Sequence, residues 1–258
     1  MTPIVLPHEY HGAGREPVIV VHGWFQGRTE FQPMTPYLDR DSFTYAFVDL
    51  RGYGEAGAIT GTYSMTEVAY DVLALADHLG WRRFSVVGHS MGGKAAQLIA
   101  ALAGPRVRRI VGVSPVQAEA IGFAPETAQL FARAVDDPQA RRAIIDWSTG
   151  GRLPARWVDD MVRRSLESVS RAAFRAYLPA WGLEDLRERI NGCRVPALAI
   201  VGAQDPDLNA DVMRKTWLHT FPRGELVEIV EAGHYSMQET PLILVSLIEK
   251  FLSQPDPE

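Results

Sequence analysis

Residues 84–94 read Phe-Ser-Val-Val-Gly-His-Ser-Met-Gly-Gly-Lys, and this stretch decides the fold of the chain. Residues 84–87 form a short apolar, β-branched run of the kind found in buried parallel strands. From residue 94 to 103 apolar residues recur at helical spacing, and Gly104-Pro105 ends the pattern. A buried strand that turns directly into a helix predicts an α/β fold with a mostly parallel sheet.

The turn between strand and helix carries Gly88-His-Ser90-Met-Gly92, a Gly-x-Ser-x-Gly pattern. A serine on such a turn has a strained backbone and presents its Oγ at the carboxyl edge of the sheet. The residues two positions before and after it must be small, because the turn brings them almost into contact. The N–H of Met91, with the helix N-terminus behind it, points at any oxyanion formed on attack. The pattern therefore predicts that Ser90 is a nucleophile.

A serine nucleophile needs a histidine base, and in this arrangement the base follows the serine in the sequence. Only His219 and His234 lie downstream of Ser90. His219 falls within residues 212–221, which read as a helix, so a surface or half-buried position is expected for it. His234 follows a predicted strand at residues 226–230, at the sheet edge where α/β proteins keep their chemistry. His234 is therefore the predicted base.

The acid that orients the histidine is expected at the end of the preceding strand. Residues 197–201 read as that strand and lead into Gly202-Ala-Gln-Asp205, so Asp205 is the predicted acid. Asp207 is the weaker alternative. It follows a proline and precedes a helical run, a position typical of a helix N-cap or first turn.

Five stretches of the chain resemble the motifs of the α/β-hydrolase superfamily, in the family's order and spacing. They are His22-Gly-Trp24, Asp49-Leu-Arg-Gly-Tyr-Gly54, Gly88-His-Ser-Met-Gly-Gly93, Gly202-x-x-Asp205 and Gly233-His234. The resemblance extends from about residue 17 to residue 252 and is to the small, capped serine esterases. The run from Gly88 to Lys94 is especially similar to bacterial carboxylesterases that act on short and medium acyl esters.

This resemblance implies the α/β-hydrolase fold: a mostly parallel sheet of about seven or eight strands flanked by helices, with an inserted all-helical cap. It implies a core domain of residues 1–117 and 186–258, with the cap at 118–185. It also implies that the N–H of Trp24, the residue after His-Gly, is the second oxyanion donor beside that of Met91. His22 precedes Ser90 in the sequence, so we expect it to hold its loop by hydrogen bonds and not to act as a base.

Residues 118–185 read as helices at 125–135, 138–147, 154–166 and 169–178, without a convincing strand. The segment is rich in large apolar side chains, and most of these are expected to pack it onto the sheet domain. Candidates for the substrate pocket are Phe25, Trp147, Trp157 and Trp181.

The start of the chain departs from the family pattern. Residues 4–6 form the one extended stretch before residue 10, which is too short for the antiparallel hairpin with which relatives usually begin. The first strand of the sheet is therefore expected to be shortened or missing.

Composition agrees with one large globular domain that contains an insertion. The chain has 258 residues, 47% of them hydrophobic, and a net charge of −5 with both signs interspersed. This charge argues against nucleic acid or an anionic membrane as a partner. The partner that the resemblance implies is a small-molecule ester or related acyl compound. The lone Cys193, with no signal-peptide pattern and no apolar run of membrane-spanning length, predicts a cytoplasmic protein. A monomer or homodimer is expected.

Other chemistry is not indicated by the sequence. Gly52-x-Gly54-x-x-Gly57 lacks the helix that must follow at once in a dinucleotide site, because the next helix begins only at the capping box Ser64-x-x-Glu67. No His-x-x-x-His, cysteine pair or phosphate-binding loop occurs, so neither a metal nor a cofactor is predicted. Lys94, one turn into the helix after the nucleophile, is expected to belong to a structural ion pair.

The residues and the resemblance together predict a serine hydrolase that cleaves a small to medium apolar carboxylic ester through an acyl-enzyme. A serine at position 90 argues against epoxide hydrolase and dehalogenase chemistry, for which related proteins use a carboxylate nucleophile. Lactonase, thioesterase, carbon–carbon bond hydrolase and cofactor-free perhydrolase stay open, because the same three residues serve each. A ligand receptor with this fold and slow turnover is the alternative from another class.

Overall fold

The computed structural model describes residues 2–256. They contain a seven-stranded sheet flanked by helices. The strands are, in chain order, β1 (His8–His11), β2 (Glu16–Val21), β3 (Phe43–Val48), β4 (Phe84–His89), β5 (Val107–Val113), β6 (Ala197–Gly202) and β7 (Gly224–Ile229). Their spatial order is β1-β3-β2-β4-β5-β6-β7. Every neighbouring pair is parallel except β1 and β3, which confirms the predicted mostly parallel sheet.

Helices cover the sheet and form the segment between β5 and β6. They are, in chain order, α1 (Met65–His78), α2 (Met91–Ala103), α3 (Pro125–Arg133), α4 (Pro138–Ser148), α5 (Ala155–Ser168), α6 (Arg171–Gly182), α7 (Arg187–Ile190), α8 (Ala210–Lys215), α9 (Trp217–Thr220), α10 (Ser236–Glu239) and α11 (Pro241–Leu252). Arg28–Tyr37 is 3-10 helical, because Pro33 and Pro36 remove backbone donors that an α-helix needs. Within residues 2–256, no helix has both the length and the apolar character needed to cross a membrane.

Strand β4 lies at the centre of the sheet and is buried along its whole length, as its continuous apolar run predicts. The chain order reverses beside it: β3 and β4 both follow β2 in the sequence but pair with opposite edges of it. The gap between the carboxyl ends of β2 and β4 is therefore a switch point, where open α/β sheets bind ligands. The loops that leave these two strands begin at His22 and Ser90.

Strand β4 passes directly into α2 through Ser90, which has φ 51° and ψ −113°. A positive φ strains a residue with a side chain, and strain of this kind clusters at functional turns. A Cβ added to Gly88 would lie 2.2 Å from the carbonyl oxygen of Gly92, and one added to Gly92 would lie 2.4 Å from that of Val21. Both positions therefore require glycine, as the pattern predicts.

The segment between β5 and β6, called the insertion from here on, is helical as predicted. Its two ends lie side by side. Ile121 N–H donates to the carbonyl of Gly182, and Leu186 N–H donates to that of Ala118. The helices α3 to α6 fall close to the four predicted ranges, while the boundaries of residues 118–185 as a separate cap domain remain a prediction.

Lys94 is not the ion-pair member that was expected. It is fully buried on α2, and its ammonium donates to the carbonyls of Glu119, Trp181 and Glu184 at 3.2, 2.9 and 2.6 Å. All three donors of the ammonium are thus used, and burial lowers the pKa of Lys94 to about 8. Because these carbonyls lie at both ends of the insertion, Lys94 joins α2 to the insertion.

The first strand is present, four residues long, but it lies further along the chain than expected. Residues 8–11, and not 4–6, form β1, which pairs antiparallel with β3. Leu6 packs into the core instead, with 1% of its surface exposed. The sequence of β1 has no alternation of apolar and polar residues that would predict a strand. Its hydrogen bonds to β3 are what define it.

The single helix expected at residues 212–221 is two short helices, α8 and α9. The chain breaks at Thr216, which has φ −117° and ψ −69° and whose hydroxyl donates to the carbonyl of Val212. The break turns Trp217 into the core, where it is 1% exposed. His219 lies on α9 and is exposed, as expected.

Candidate active site

Ser90, Asp205 and His234 line one cavity of about 270 Å³. They stand on the segments that follow β4, β6 and β7, respectively. The carboxyl ends of parallel strands meet at one edge of a sheet, so residues distant in the sequence converge there. The structure thus brings the three predicted residues together.

Asp205 and His234 are directly hydrogen-bonded. His234 Nδ1 lies 2.7 Å from Asp205 Oδ2, and the Asp205 side chain is 1% exposed. The other oxygen, Oδ1, accepts the backbone N–H groups of Asp207 and Leu208. The carboxylate is therefore held from both sides and orients the imidazole.

The contact with Asp205 favours the protonated form of the His234 imidazole. Burial opposes the charged imidazole, but attraction and hydrogen bonding to Asp205 outweigh it and raise the pKa of His234 above its usual value. With Nδ1–H donated to Asp205, Nε2 is the nitrogen that remains for Ser90. Within the described residues no hydrogen bond yet joins Ser90 Oγ to His234, although both line the cavity. Contacts of this kind often tighten only in the complex with substrate.

Asp207 is not the helix cap that its position suggested. Asn209 caps α8, and its side chain accepts the N–H groups of Asp211 and Val212. Asp207 instead lines the cavity, where desolvation and repulsion from Asp205 raise its pKa to about 6. The carboxylate bound to His234 is that of Asp205.

His22 holds the loop after β2, as expected. Its Nε2 accepts the backbone N–H of Leu50 at 3.0 Å, so Nδ1 carries the proton and donates to the carbonyl of Gly23 at 2.7 Å. Burial lowers the pKa of His22, which keeps the ring neutral. Because a peptide bond is planar, fixing the Gly23 carbonyl also fixes the direction of the Trp24 N–H.

The two predicted oxyanion donors follow neighbouring strands. Trp24 lies in the loop after β2, and Met91 is the first residue of α2. A Cβ added to Gly23 would lie 3.4 Å from Ser90 Cβ, so the loop before Trp24 packs against the nucleophile turn. Both N–H groups therefore belong to segments that adjoin Ser90.

Seven Trp, Phe and Tyr side chains line the cavity. They are Trp24, Phe25, Phe123, Phe131, Trp147, Trp181 and Tyr235. Trp181 is 6% exposed, whereas Trp147 is 43% exposed. Trp181 therefore lies in the interior of the wall and Trp147 at its mouth, and both belong to the predicted pocket, as does Phe25.

Trp157 lies outside this wall, which corrects the expectation that it faces the pocket. Its ring packs edge-on against Tyr235, with ring centroids 5.8 Å apart. Since Tyr235 lines the cavity, Trp157 supports the wall from behind.

The Trp24 side chain reaches into the insertion. Its ring stacks on Phe174 with centroids 3.9 Å apart, and its Nε1 donates to the Phe174 carbonyl at 2.8 Å. Trp181 lies 5.3 Å away, ring centroid to ring centroid. The residue that carries a predicted oxyanion donor is thus also anchored in α6.

The loop after α4 packs directly on the His234 loop. His234 N–H donates to the carbonyl of Ser148 at 3.0 Å. Glu239 accepts the backbone N–H of both residues that flank His234, at 2.8 and 2.9 Å, and is paired with Arg152. Sequence reasoning did not identify Glu239, since nothing local distinguishes it from a surface glutamate near the start of a helix.

The part of the chain that the structure describes contains no group of side chains suited to bind a metal ion. No three His, Cys, Asp or Glu side chains among residues 2–256 come together as metal ligands.

Comparison with known proteins gives the chain a family context. A sequence model described as the alpha/beta hydrolase fold matches residues 16–241. The chain is 26% identical over 219 residues to 3-oxoadipate enol-lactonase 2 of Acinetobacter baylyi, which covers 83% of this chain and 80% of that protein. It is 27% identical over 237 residues, or 90% of its length, to a dihydrolipoyllysine-residue acetyltransferase component of the acetoin cleaving system of Pseudomonas putida. It spans 62% of that longer protein.

A solved structure gives the same context. The thermophilic esterase of Thermogutta terrifontis superposes with a TM-score of 0.79 at 25% sequence identity. The match covers 96% of this chain and 92% of that one, so it includes the insertion as well as the sheet.

Proposed function

The chain belongs to the α/β-hydrolase family, and we propose that it is a serine hydrolase that cleaves a carboxylic ester through an acyl-enzyme. The observation that carries the proposal is the place of Ser90. It sits on a strained turn and opens onto a cavity that also holds the hydrogen-bonded pair Asp205–His234. A serine nucleophile needs a base and an acid to orient it, and this cavity supplies both.

In the proposed reaction, His234 takes the proton of Ser90 as the Oγ attacks the acyl carbon. The N–H groups of Trp24 and Met91 hold the oxyanion, while Asp205 stabilises the charged imidazole. The alcohol leaves with the proton from His234. Water activated by the same histidine then releases the acid and restores the serine.

The cavity supports a small to medium apolar substrate. A volume of about 270 Å³ lies near the lower end of the range for small-molecule sites. Its wall is mostly apolar and includes seven aromatic side chains, so most of the free energy of binding would come from buried apolar surface. We therefore propose an ester with a short acyl chain or a single ring.

A lactone is the second candidate substrate. The observation that favours it is the similarity to 3-oxoadipate enol-lactonase 2, which extends over 83% of this chain. A lactone is an ester closed into a ring, so the same attack opens it and the alcohol stays attached to the acyl group. Thioester, carbon–carbon bond and perhydrolysis chemistry would use the same residues and are tested beside it.

The proposal is tested by steady-state assays on a graded panel of aryl esters, lactones and thioesters. We expect continuous turnover on an ester or a lactone, and a loss on the order of 10⁶-fold in kcat for Ser90→Ala. Ser85→Ala is the matched control, because Ser85 is a buried serine on β4, the strand that leads to Ser90, and does not line the cavity. A burst followed by near silence would instead favour a ligand receptor, and an active Ser90→Ala variant would refute the nucleophile.

A further inference from the structure

Beside Ser90, Glu30 and His89 form a buried hydrogen-bond network, and the His89 ring also lines the cavity. Both side chains are 1% exposed, and Glu30 Oε1 lies 2.9 Å from His89 Nδ1. The same Oε1 accepts the backbone N–H of Gly23 at 2.8 Å. On the other side of the ring, His89 Nε2 lies 3.0 Å from the carbonyl oxygen of His234. One carboxylate and one imidazole thus join the loop after β2, the end of β4 and the loop after β7.

The partners of His89 determine where its protons lie. A carbonyl oxygen only accepts hydrogen bonds, so Nε2 must carry a proton toward His234. The Glu30 carboxylate faces Nδ1, so a second proton lies between the ring and the carboxylate.

The network contacts the backbone next to each of three groups in the proposed reaction: an oxyanion donor, the nucleophile and the base. Gly23 precedes Trp24, whose N–H is the proposed second oxyanion donor. His89 immediately precedes Ser90 in the chain. The third contact is to the carbonyl of His234, which belongs to the proposed base itself.

We propose that Glu30 and His89 are positioning residues. Their shared proton network holds the oxyanion donor and the base in register with Ser90. This inference rests on the proposed function, since it assigns the network to that reaction. Displacement of reacting groups by about 1 Å is enough to lower a rate on the order of 10²-fold, so a network of this kind affects turnover without taking part in the bond changes.

Burying this network is expensive, which argues against a purely structural role. Within residues 2–256, Glu30 Oε2 is buried and has no hydrogen-bond partner. Replacing both members of a buried polar pair by apolar groups of similar size is often neutral or stabilising. The polar pair is therefore explained better by the orientation it gives to the loops than by stability.

The first test is Glu30→Gln, which keeps the volume of the side chain. The neutral amide oxygen can still accept the Gly23 N–H, but the carboxylate that faces His89 Nδ1 is gone, so the contact to the ring is weakened. We expect kcat to fall on the order of 10²-fold while KM stays near its wild-type value. The control is Glu67→Gln, which alters another buried carboxylate, one that accepts the Tyr63 N–H outside the cavity. Its kcat should not change.

A double variant separates positioning from stability. Glu30→Met combined with His89→Leu removes both polar side chains together, so neither is left facing an unpaired partner side chain, and only the backbone groups of Gly23 and His234 lose a contact. We expect a folded protein whose melting temperature equals or exceeds that of Glu30→Gln, but whose kcat stays as low. A folded double variant that turns over at the wild-type rate would overturn the proposal, as would a change confined to KM.

Ser90→Ala in the same assays keeps the two proposals apart. If Ser90→Ala remains active, the proposed function fails. If Ser90→Ala is inactive but Glu30→Gln matches the wild type, the serine mechanism stands and the positioning role of Glu30 and His89 fails.

Discussion

At the scale of single residues, the choice between two neighbouring aspartates is the sharpest test of the site. Asp205 holds His234 Nδ1 at 2.7 Å, whereas Asp207 lines the cavity without contacting that nitrogen. Asp205→Asn should lower kcat on the order of 10⁴-fold, because the imidazolium loses its stabilising charge and its tautomer is no longer fixed. Asp207→Asn should stay within a few-fold of the wild type. A large loss at Asp207 with Asp205→Asn near wild type would reverse the assignment.

The protonation of His234 predicts how the rate depends on pH. The base must be neutral to accept a proton. Burial lowers the pKa of His234, but Asp205 raises it overall above 6.5, the usual value for a histidine. We therefore expect kcat/KM to be low in acid and to rise with pH through a midpoint above 6.5. In Asp205→Asn the midpoint should move down, because the charge that favours the imidazolium is gone. A wild-type midpoint below that value would contradict the geometry.

Two of the predicted pocket tryptophans, Trp181 and Trp157, should respond differently to alanine. Trp181→Ala should change the order of preference in the ester panel, since this side chain forms part of the inner wall. Trp157→Ala should leave that order unchanged and lower the free energy of unfolding by roughly 1–3 kcal/mol, as expected for a partly buried ring behind the wall. Kinetics on the panel and urea unfolding of both variants check this. The same change of preference in both would return Trp157 to the pocket.

At the scale of elements, Lys94 predicts how the insertion is fastened to the sheet domain. Lys94→Met keeps most of the side-chain volume but leaves three buried carbonyls without their donor. The free energy of unfolding should fall by roughly 2–4 kcal/mol. Lys215→Met, at an exposed position on α8, should change it by less than about 0.5 kcal/mol. Equal unfolding curves for wild type and Lys94→Met would show that these contacts contribute nothing to stability.

Elements that bury a continuous apolar face could be predicted from the sequence. Strands β4 and β6 lie within two residues of their expected ranges, and α1 begins directly after Ser64, because apolar runs and the Ser64 cap are local signals. Strand β1 and the break at Thr216 could not be predicted. The first is set by hydrogen bonds to β3 and the second by the burial of Trp217, and both are properties of the tertiary structure.

The site divides in the same way. Ser90, His234 and Asp205 could be located because each lies at or after a strand end within a recognisable motif. Glu30 and Glu239 could not be located. Glu30 contacts His89, which is distant in the sequence, and Glu239 contacts the His234 loop only once that loop is folded. Polar residues that orient a site leave no periodic signature, so the structure alone reveals them.

At the scale of the whole molecule, the arrangement of the chain explains why the site lies where it does. The reversal of strand order beside β2 opens a crevice at the carboxyl edge of the sheet. The insertion covers that edge and supplies Trp181 and Trp147 to the wall, while Lys94 ties its two ends to α2. The helix that follows Ser90 and the insertion over the cavity are thus in direct contact.

The central claim, that Ser90 is the nucleophile of a serine hydrolase, is tested most directly by covalent labelling. A fluorophosphonate probe should add one equivalent of mass to the intact wild-type protein and none to Ser90→Ala. Trypsin releases residues 84–94 as one peptide that contains both Ser85 and Ser90, so fragmentation must assign the added mass to Ser90. Labelling at Ser90 alone, in proportion to the loss of ester turnover, is the predicted result. A label on any other residue, or full inhibition with Ser90 unmodified, would contradict the account.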